Sequence, residues 1–156
     1  QAEDGIRDCL LSRGLGDVYK RQVNELTIEE RLSHAQLMVA VASVDGELVL
    51  EELIMIEAIM GKSMLHPEMR VDVRNTLSHP IEMEKSMEML SERGKQLALR
   101  DAVLVSACDG EYDKKEIRVI AKIAKLAGVD KTKLSQLYEW VSEYWECFNK
   151  SSTIFD

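Results

Sequence analysis

One signature is written twice in this chain. Asp45-Gly46-Glu47 is followed by Glu52, and Asp109-Gly110-Glu111 by Glu116, at an offset of 64 residues. An Asp-Gly pair stops a helix, because glycine accepts the left-handed conformation that a helix C-terminus asks for. A glutamate a few residues later meets the positive end of the next helix dipole. Each copy therefore reads as a helix, an Asp-Gly turn and a second helix. The same offset aligns Leu53, Ile56 and Ile59 with Ile117, Ile120 and Ile123. Two such hairpins in one chain predict an all-α fold, a compact bundle with an internal pseudo-two-fold repeat.

Helical periodicity continues outside the hairpins, and strand patterning is almost absent. Thr27 and Glu30 form a capping box that starts the first helix, with Ile28, Leu32, Ala35, Val39 and Ala42 as its inward stripe. A second helix is expected from Val49 to Met60, closed by Gly61. It is apolar on most sides and so reads as central. Pro67 opens a third helix to Leu77, with Met69, Val73 and Leu77 inward. Pro80 opens a fourth, with Met83, Met87 and Leu90 inward and Gly94 as its stop. The fifth is expected from Lys95 to Cys108, with Leu97, Leu104, Val105 and Cys108 on one face.

Asp113 and Glu116 cap the sixth helix. Its inward stripe is expected at Ile117, Ile120, Ala121, Ala124 and Ala127, its wet one at Lys114, Arg118, Lys122 and Lys125, and its stop at Gly128. Asp130 caps a last helix carrying Leu134, Leu137, Val141, Tyr144 and Phe148. The layout is about seven helices.

Gln1–Gln22 stands apart from this pattern. It resembles a translated sequencing-library adaptor and is expected to be a disordered, non-native segment. Residues 23–149 then read as a single domain, and residues 150–156 as a frayed tail. The set-aside segment balances its own charges, so the net charge of −8 belongs to the rest. An acidic domain repels phosphate backbones, which argues against nucleic acid as a partner. Cys108 and Cys147 show no CxxC spacing, which suggests reduced thiols and a cytoplasmic location. No apolar run approaches the length of a membrane span. No GxSxG, Gly-rich phosphate loop, HExxH or Cys–His pairing is present, so neither an enzyme nor an organic cofactor is expected.

The carboxylates of the twin signature admit two readings. They can be helix caps, with Glu52 and Glu116 in the first turn of their helices. Alternatively Asp45, Glu47, Glu52, Asp109, Glu111, Asp113 and Glu116 can gather into a divalent-cation site, calcium or magnesium by the hardness of the oxygen ligands. An EF-hand is excluded. Counted from Asp109, position six is Lys114 where glycine is required, and position twelve is Ile120 in place of the bidentate glutamate.

The stretches "VASVDGELVLEEL" and "SACDGEYDKKEIRVIAKIAKLAGV" resemble the tellurite-resistance TerB-like domain over most of Leu32–Val129. The resemblance implies an all-helical, pseudo-symmetric fold of about seven helices. It also implies an acidic patch for metal and a role in stress or tellurite response. The family's acidic positions correspond to Asp45, Glu52, Asp109 and Glu116. Val49 stands where the second copy has Asp113, so the first copy lacks that acid.

The remaining candidates concern packing and partners. His34 falls off the main stripe of the first helix and reads as a surface or boundary residue. Asp101 falls on the inward side of the fifth helix, where a carboxylate needs a partner such as Arg31, Arg93 or Arg100, or membership of an acidic cluster. Cys108 reads as a small buried thiol. The methionines between Met55 and Met89 suit a core or an adaptable docking surface. Trp140 falls opposite the inward residues of the last helix and is a candidate contact for a protein partner or a homodimer. A metal-free protein-interaction module is therefore the alternative to a cation-binding domain.

Overall fold

The computed structural model describes residues 25–44, 46, 49–79, 81–107, 113–150 and 152–154. Among them the chain forms seven α-helices and no strand. The helices are α1 (Ile28–Ala42), α2 (Leu50–Lys62), α3 (Pro67–Asn75), α4 (Met83–Glu88), α5 (Glu92–Ser106), α6 (Lys114–Leu126) and α7 (Lys131–Lys150). A 3-10 turn at Ser152–Ile154 follows.

The first helix starts where local chemistry places it. Thr27 Oγ1 accepts from the Glu30 N–H at 3.2 Å, and the Thr27 N–H donates to Glu30 Oε2 at 2.9 Å. The other oxygen of that carboxylate, Oε1, accepts from the Ser91 N–H at 2.8 Å. Ser91 is itself the N-cap of α5, its hydroxyl accepting from the Gly94 N–H. One glutamate therefore holds the starts of α1 and α5 together. The hydrogen bonding to Ser91, with that to Thr27, outweighs the opposing effect of burial and keeps the Glu30 carboxyl below its ordinary range.

This shared cap explains Gly94. A Cβ there would lie 3.2 Å from both Glu30 Oε1 and Leu90 Cβ. Gly94 is not the stop of the fourth helix that the sequence suggests. It lies in the first turn of α5, which begins at Glu92, and α4 ends earlier at Glu88.

The core is organised around α1 and α5. Helix α1 buries Ser33, His34, Ala35, Leu37, Met38, Val39, Val41 and Ala42, and helices α2 to α6 all pack on it. Its most extensive contact is with α5, which also meets α2, α6 and α7. The expectation that the second helix is central is overturned. Helix α2 buries only Glu52, Ile56, Ile59 and Met60 and leaves Leu50 and Ile54 to solvent. An apolar composition does not make a helix central when its neighbours cover one side alone.

The inward face of α6 is rotated from the expected stripe: Glu116, Ile120, Ile123 and Ala124 are buried, while Ile117 and Ala121 are exposed. On α7 only Val141 is fully buried, and the expected inward residues Tyr144 and Phe148 are exposed.

The hairpins repeat in their helix bounds. Shifted by 64 residues, α1 coincides with α5 and α2 with α6. The chain leaves both second helices through a left-handed residue, Met64 at φ +51° and Gly128 at φ +64°. Gly61, expected to close α2, stays helical, and the reversal falls on Met64. Glycine at this place costs nothing sterically, whereas a side chain costs about 1–2 kcal/mol. Glycine also loosens the unfolded chain by about 0.4–1 kcal/mol, which offsets part of the gain. Met64→Gly is therefore expected to raise stability by about 0.5–1 kcal/mol and Gly128→Ala to lower it by about 1 kcal/mol, read by urea unfolding. Met64 is mostly exposed, so loss of its side chain removes little packing.

Candidate functional site

The carboxylates of the twin signature fall into two groups. Asp45, Glu47, Asp109 and Glu111, with Cys108, lie outside the described residues. Glu52, Asp113 and Glu116 are described, and each one holds a helix start. Glu52 Oε2 accepts from the Val49 N–H at 3.0 Å, and Glu116 Oε2 accepts from the Asp113 N–H at 2.8 Å. Asp113 Oδ1 accepts from the Lys115 N–H at 2.6 Å. Valine has no acceptor to offer, so the first copy keeps only the glutamate half of the capping box that the second copy completes.

Glu52 and Glu116 are both buried, at 6% and 8% exposure. Burial of a carboxylate is costly, and a hydrogen bond to an otherwise unpaired helix N–H offsets that cost. Tyr138, reaching in from α7, has its hydroxyl pushed above the ordinary range, first by its own burial and then by the negative charge of Glu116. Among the described residues no group of three or more His, Cys, Asp or Glu side chains is placed to hold a metal ion.

A second polar centre lies inside the core, between α1 and α5. His34 Nε2 stands 3.1 Å from Asp101 Oδ2, with the side chains 0% and 6% exposed. Arg100 Nε donates to Asp101 Oδ1 at 2.6 Å, and its Nη2 meets the same oxygen at 2.6 Å. Burial is the largest influence on the Asp101 carboxyl and pushes it up. The contact and charge of His34, then those of Arg100, outweigh burial and hold it below its ordinary value. The carboxylate therefore persists in the interior because the Arg100 guanidinium and the His34 imidazole converge on it.

The sequence foresaw half of this arrangement. Asp101 does face inward, and Arg100 is among the partners it required. His34 is corrected from a surface or boundary position to a wholly buried one. The signal was available. His34, Met38 and Val41 share a face at spacings of four and three, and a buried acid on a facing helix needs such a neighbour. The face was missed because α1 is covered on more sides than the stripe Ile28, Leu32, Ala35, Val39 and Ala42 spans.

A histidine beside a carboxylate is also the orienting half of a general base. Here the imidazole is sealed from solvent, the contact through Nε2 is not an in-line hydrogen bond, and Nδ1 has no polar partner among the described residues. The pair acts as an internal tie between two helices. Asp101→Ala is expected to cost about 3–5 kcal/mol, because it leaves His34 buried opposite nothing. Replacing both, His34→Leu with Asp101→Leu, should recover much of that loss. The depressed Asp101 value gives stability that is complete above the unfolded-state pKa, about 3.9, and is lost as pH falls through the lower folded value. Urea unfolding as a function of pH should show this acid limb, and Asp101→Asn should make it shallower, leaving the part that Glu30 contributes.

No family model matches this chain, nor does any curated protein or solved structure.

Proposed function

We propose that this chain is a TerB-like, non-enzymatic helical domain of the stress or tellurite response, which works in the cytoplasm by docking protein partners. The observation that carries the docking reading is the outer face of α7. Trp140, Tyr144 and Phe148 recur there at four-residue spacing and are 42%, 40% and 59% exposed. They belong to a continuous aromatic run. Ring centroids lie 6.0 Å apart for Trp140–Tyr144, 5.5 Å for Tyr144–Trp145 and 5.6 Å for Trp145–Phe148.

Stacked rings are already ordered, so they offer a partner large apolar area at low entropic cost. A contiguous patch of this kind is uncommon on a protein that works alone. The doubled helix bounds and the acids of the twin turns support the TerB-like part of the reading, including an internal two-fold.

The test removes the ridge and keeps the fold. Trp140→Ser, Tyr144→Ser and Phe148→Ser combined should leave the helical circular dichroism intact. In a tellurite-sensitive host, the variant should lose the protection that the unaltered chain confers. Full protection by a folded variant would contradict docking through α7.

A second reading, a divalent cation held by Asp45, Glu47, Glu52, Asp109, Glu111, Asp113 and Glu116, is favoured by one observation. Glu52 and Glu116 are buried at matched places, each seven residues after the aspartate of an Asp-Gly pair in the sequence, and each accepts from the N–H that starts its helix. Thermal unfolding after chelation and with added calcium, magnesium, manganese or zinc tests it. At a hundredfold excess over the dissociation constant, a bound ion stabilises by about 2.7 kcal/mol. Asp45→Asn with Asp109→Asn should abolish that gain, and the absence of any gain leaves the turns as caps alone.

A further inference from the structure

Helices α2 and α6 occupy matched places in the two hairpins, yet their outer faces are opposites. On α6 the face carries Lys114, Arg118, Lys122 and Lys125, all exposed and cationic. On α2 the same four places hold Leu50, Ile54, Ala58 and Gly61, also exposed. Leu50 is 66% and Ile54 60% exposed. A Cβ at Gly61 would find nothing within 4 Å, so none of the described residues covers that end of the face. No helix among the described residues is long and apolar enough to cross a membrane, so α2 is not a spanning segment.

The order of residues along this face says what fits it. Large side chains fill its N-terminal half and small ones its C-terminal half, over a length of about 16 Å. A copy of the same helix, laid antiparallel about a two-fold axis, sets Leu50 and Ile54 over Gly61 and Ala58 at both ends. The charges agree with that placement. Glu51 and Lys62 lie on one flank of the face at opposite ends of the helix, both exposed and with no ion pair among the described residues.

A two-fold axis keeps each flank beside its own copy and reverses its direction, so Glu51 of one copy meets Lys62 of the other, twice. On the other flank Glu57 is neutralised by Arg74, whose Nε and Nη2 donate to it at 2.7 and 2.8 Å. The two copies of Glu57 that approach there bring no net repulsion.

We propose that the outer face of α2 is a self-complementary surface through which two copies of this chain form an antiparallel, two-fold dimer. The surface is separate from the aromatic ridge of α7, so the dimer does not depend on the docking reading given above.

Sedimentation velocity of the full chain tests this, with reductant present so that the exposed thiol of Cys147 forms no cross-link. The unaltered chain should sediment as a dimer of the 17.7 kDa protomer. Ile54→Glu should give a monomer with unchanged helical circular dichroism, since that side chain takes little part in the fold. Glu51→Lys and Lys62→Glu should each weaken the dimer several-fold, and the two together should restore it.

A chain that stays monomeric at every concentration overturns the proposal. So does a dimer that survives Ile54→Glu, or a charge exchange that fails to rescue. Co-flotation of the monomer with vesicles of neutral and anionic lipid would assign the face to a membrane surface and overturn the dimer equally.

Discussion

The contact between α1 and α5 is the constraint on which the rest of this bundle depends. It is held at its start by the Glu30 carboxylate, which bonds to Thr27 and Ser91, and in its interior by Asp101 between His34 and Arg100. The two ties differ in kind. Glu30 satisfies helix N–H groups that would otherwise lack partners, at modest cost because it is near the surface. The Asp101 cluster takes charge into the core, where apolar residues of similar volume would serve stability as well or better. Of its two partners Arg100 travels with α5, so only His34 is lost when α5 slips against α1, and the remaining helices pack onto the pair so placed.

Local chemistry was legible in the residues; the covering of helix faces was not. Thr27 with Glu30, Asp113 with Glu116, and Asp130 ahead of α7 start helices as their spacing implies, because a cap is decided within four residues. Gly128 ends α6 for the same reason. Gly61 and Gly94 mislead because each has a cause outside local sequence. Gly61 sits on a face that no described residue covers, and Gly94 makes room for the side chain of Glu30. Ile117, Tyr144 and Phe148 are apolar and yet face outward, since periodicity marks a stripe without saying which neighbour meets it. His34 is the converse, a polar ring drawn inside by an acid on another helix. Of the site residues, the capping roles of Glu52 and Glu116 could be read from the sequence, while any gathering of the two turns is a long-range property that no spacing encodes.

The two hairpins agree where a backbone must be satisfied and diverge where a surface is presented. Both begin their second helices on a buried glutamate, and both leave them through a left-handed residue. On the outer faces the likeness ends, with Leu50, Ile54, Ala58 and Gly61 on α2 against Lys114, Arg118, Lys122 and Lys125 on α6. The matched helix bounds therefore go with shared caps and chain reversals, while the outer faces differ in chemistry. The aromatic ridge of α7 lies on a helix tied to the core through Val141 and the partly buried Leu134, Leu137, Tyr138 and Trp145.

Native-state amide hydrogen exchange, resolved by residue, tests the primacy of the α1–α5 pair most directly. Amides in the middle of these two helices should exchange only through global unfolding and share the highest protection in the molecule, with α2, α6 and α7 opening at lower free energies. If α1 or α5 instead exchanges through local opening while α6 or α7 stays protected, the pair is not the foundation of the fold, and the account built on it fails.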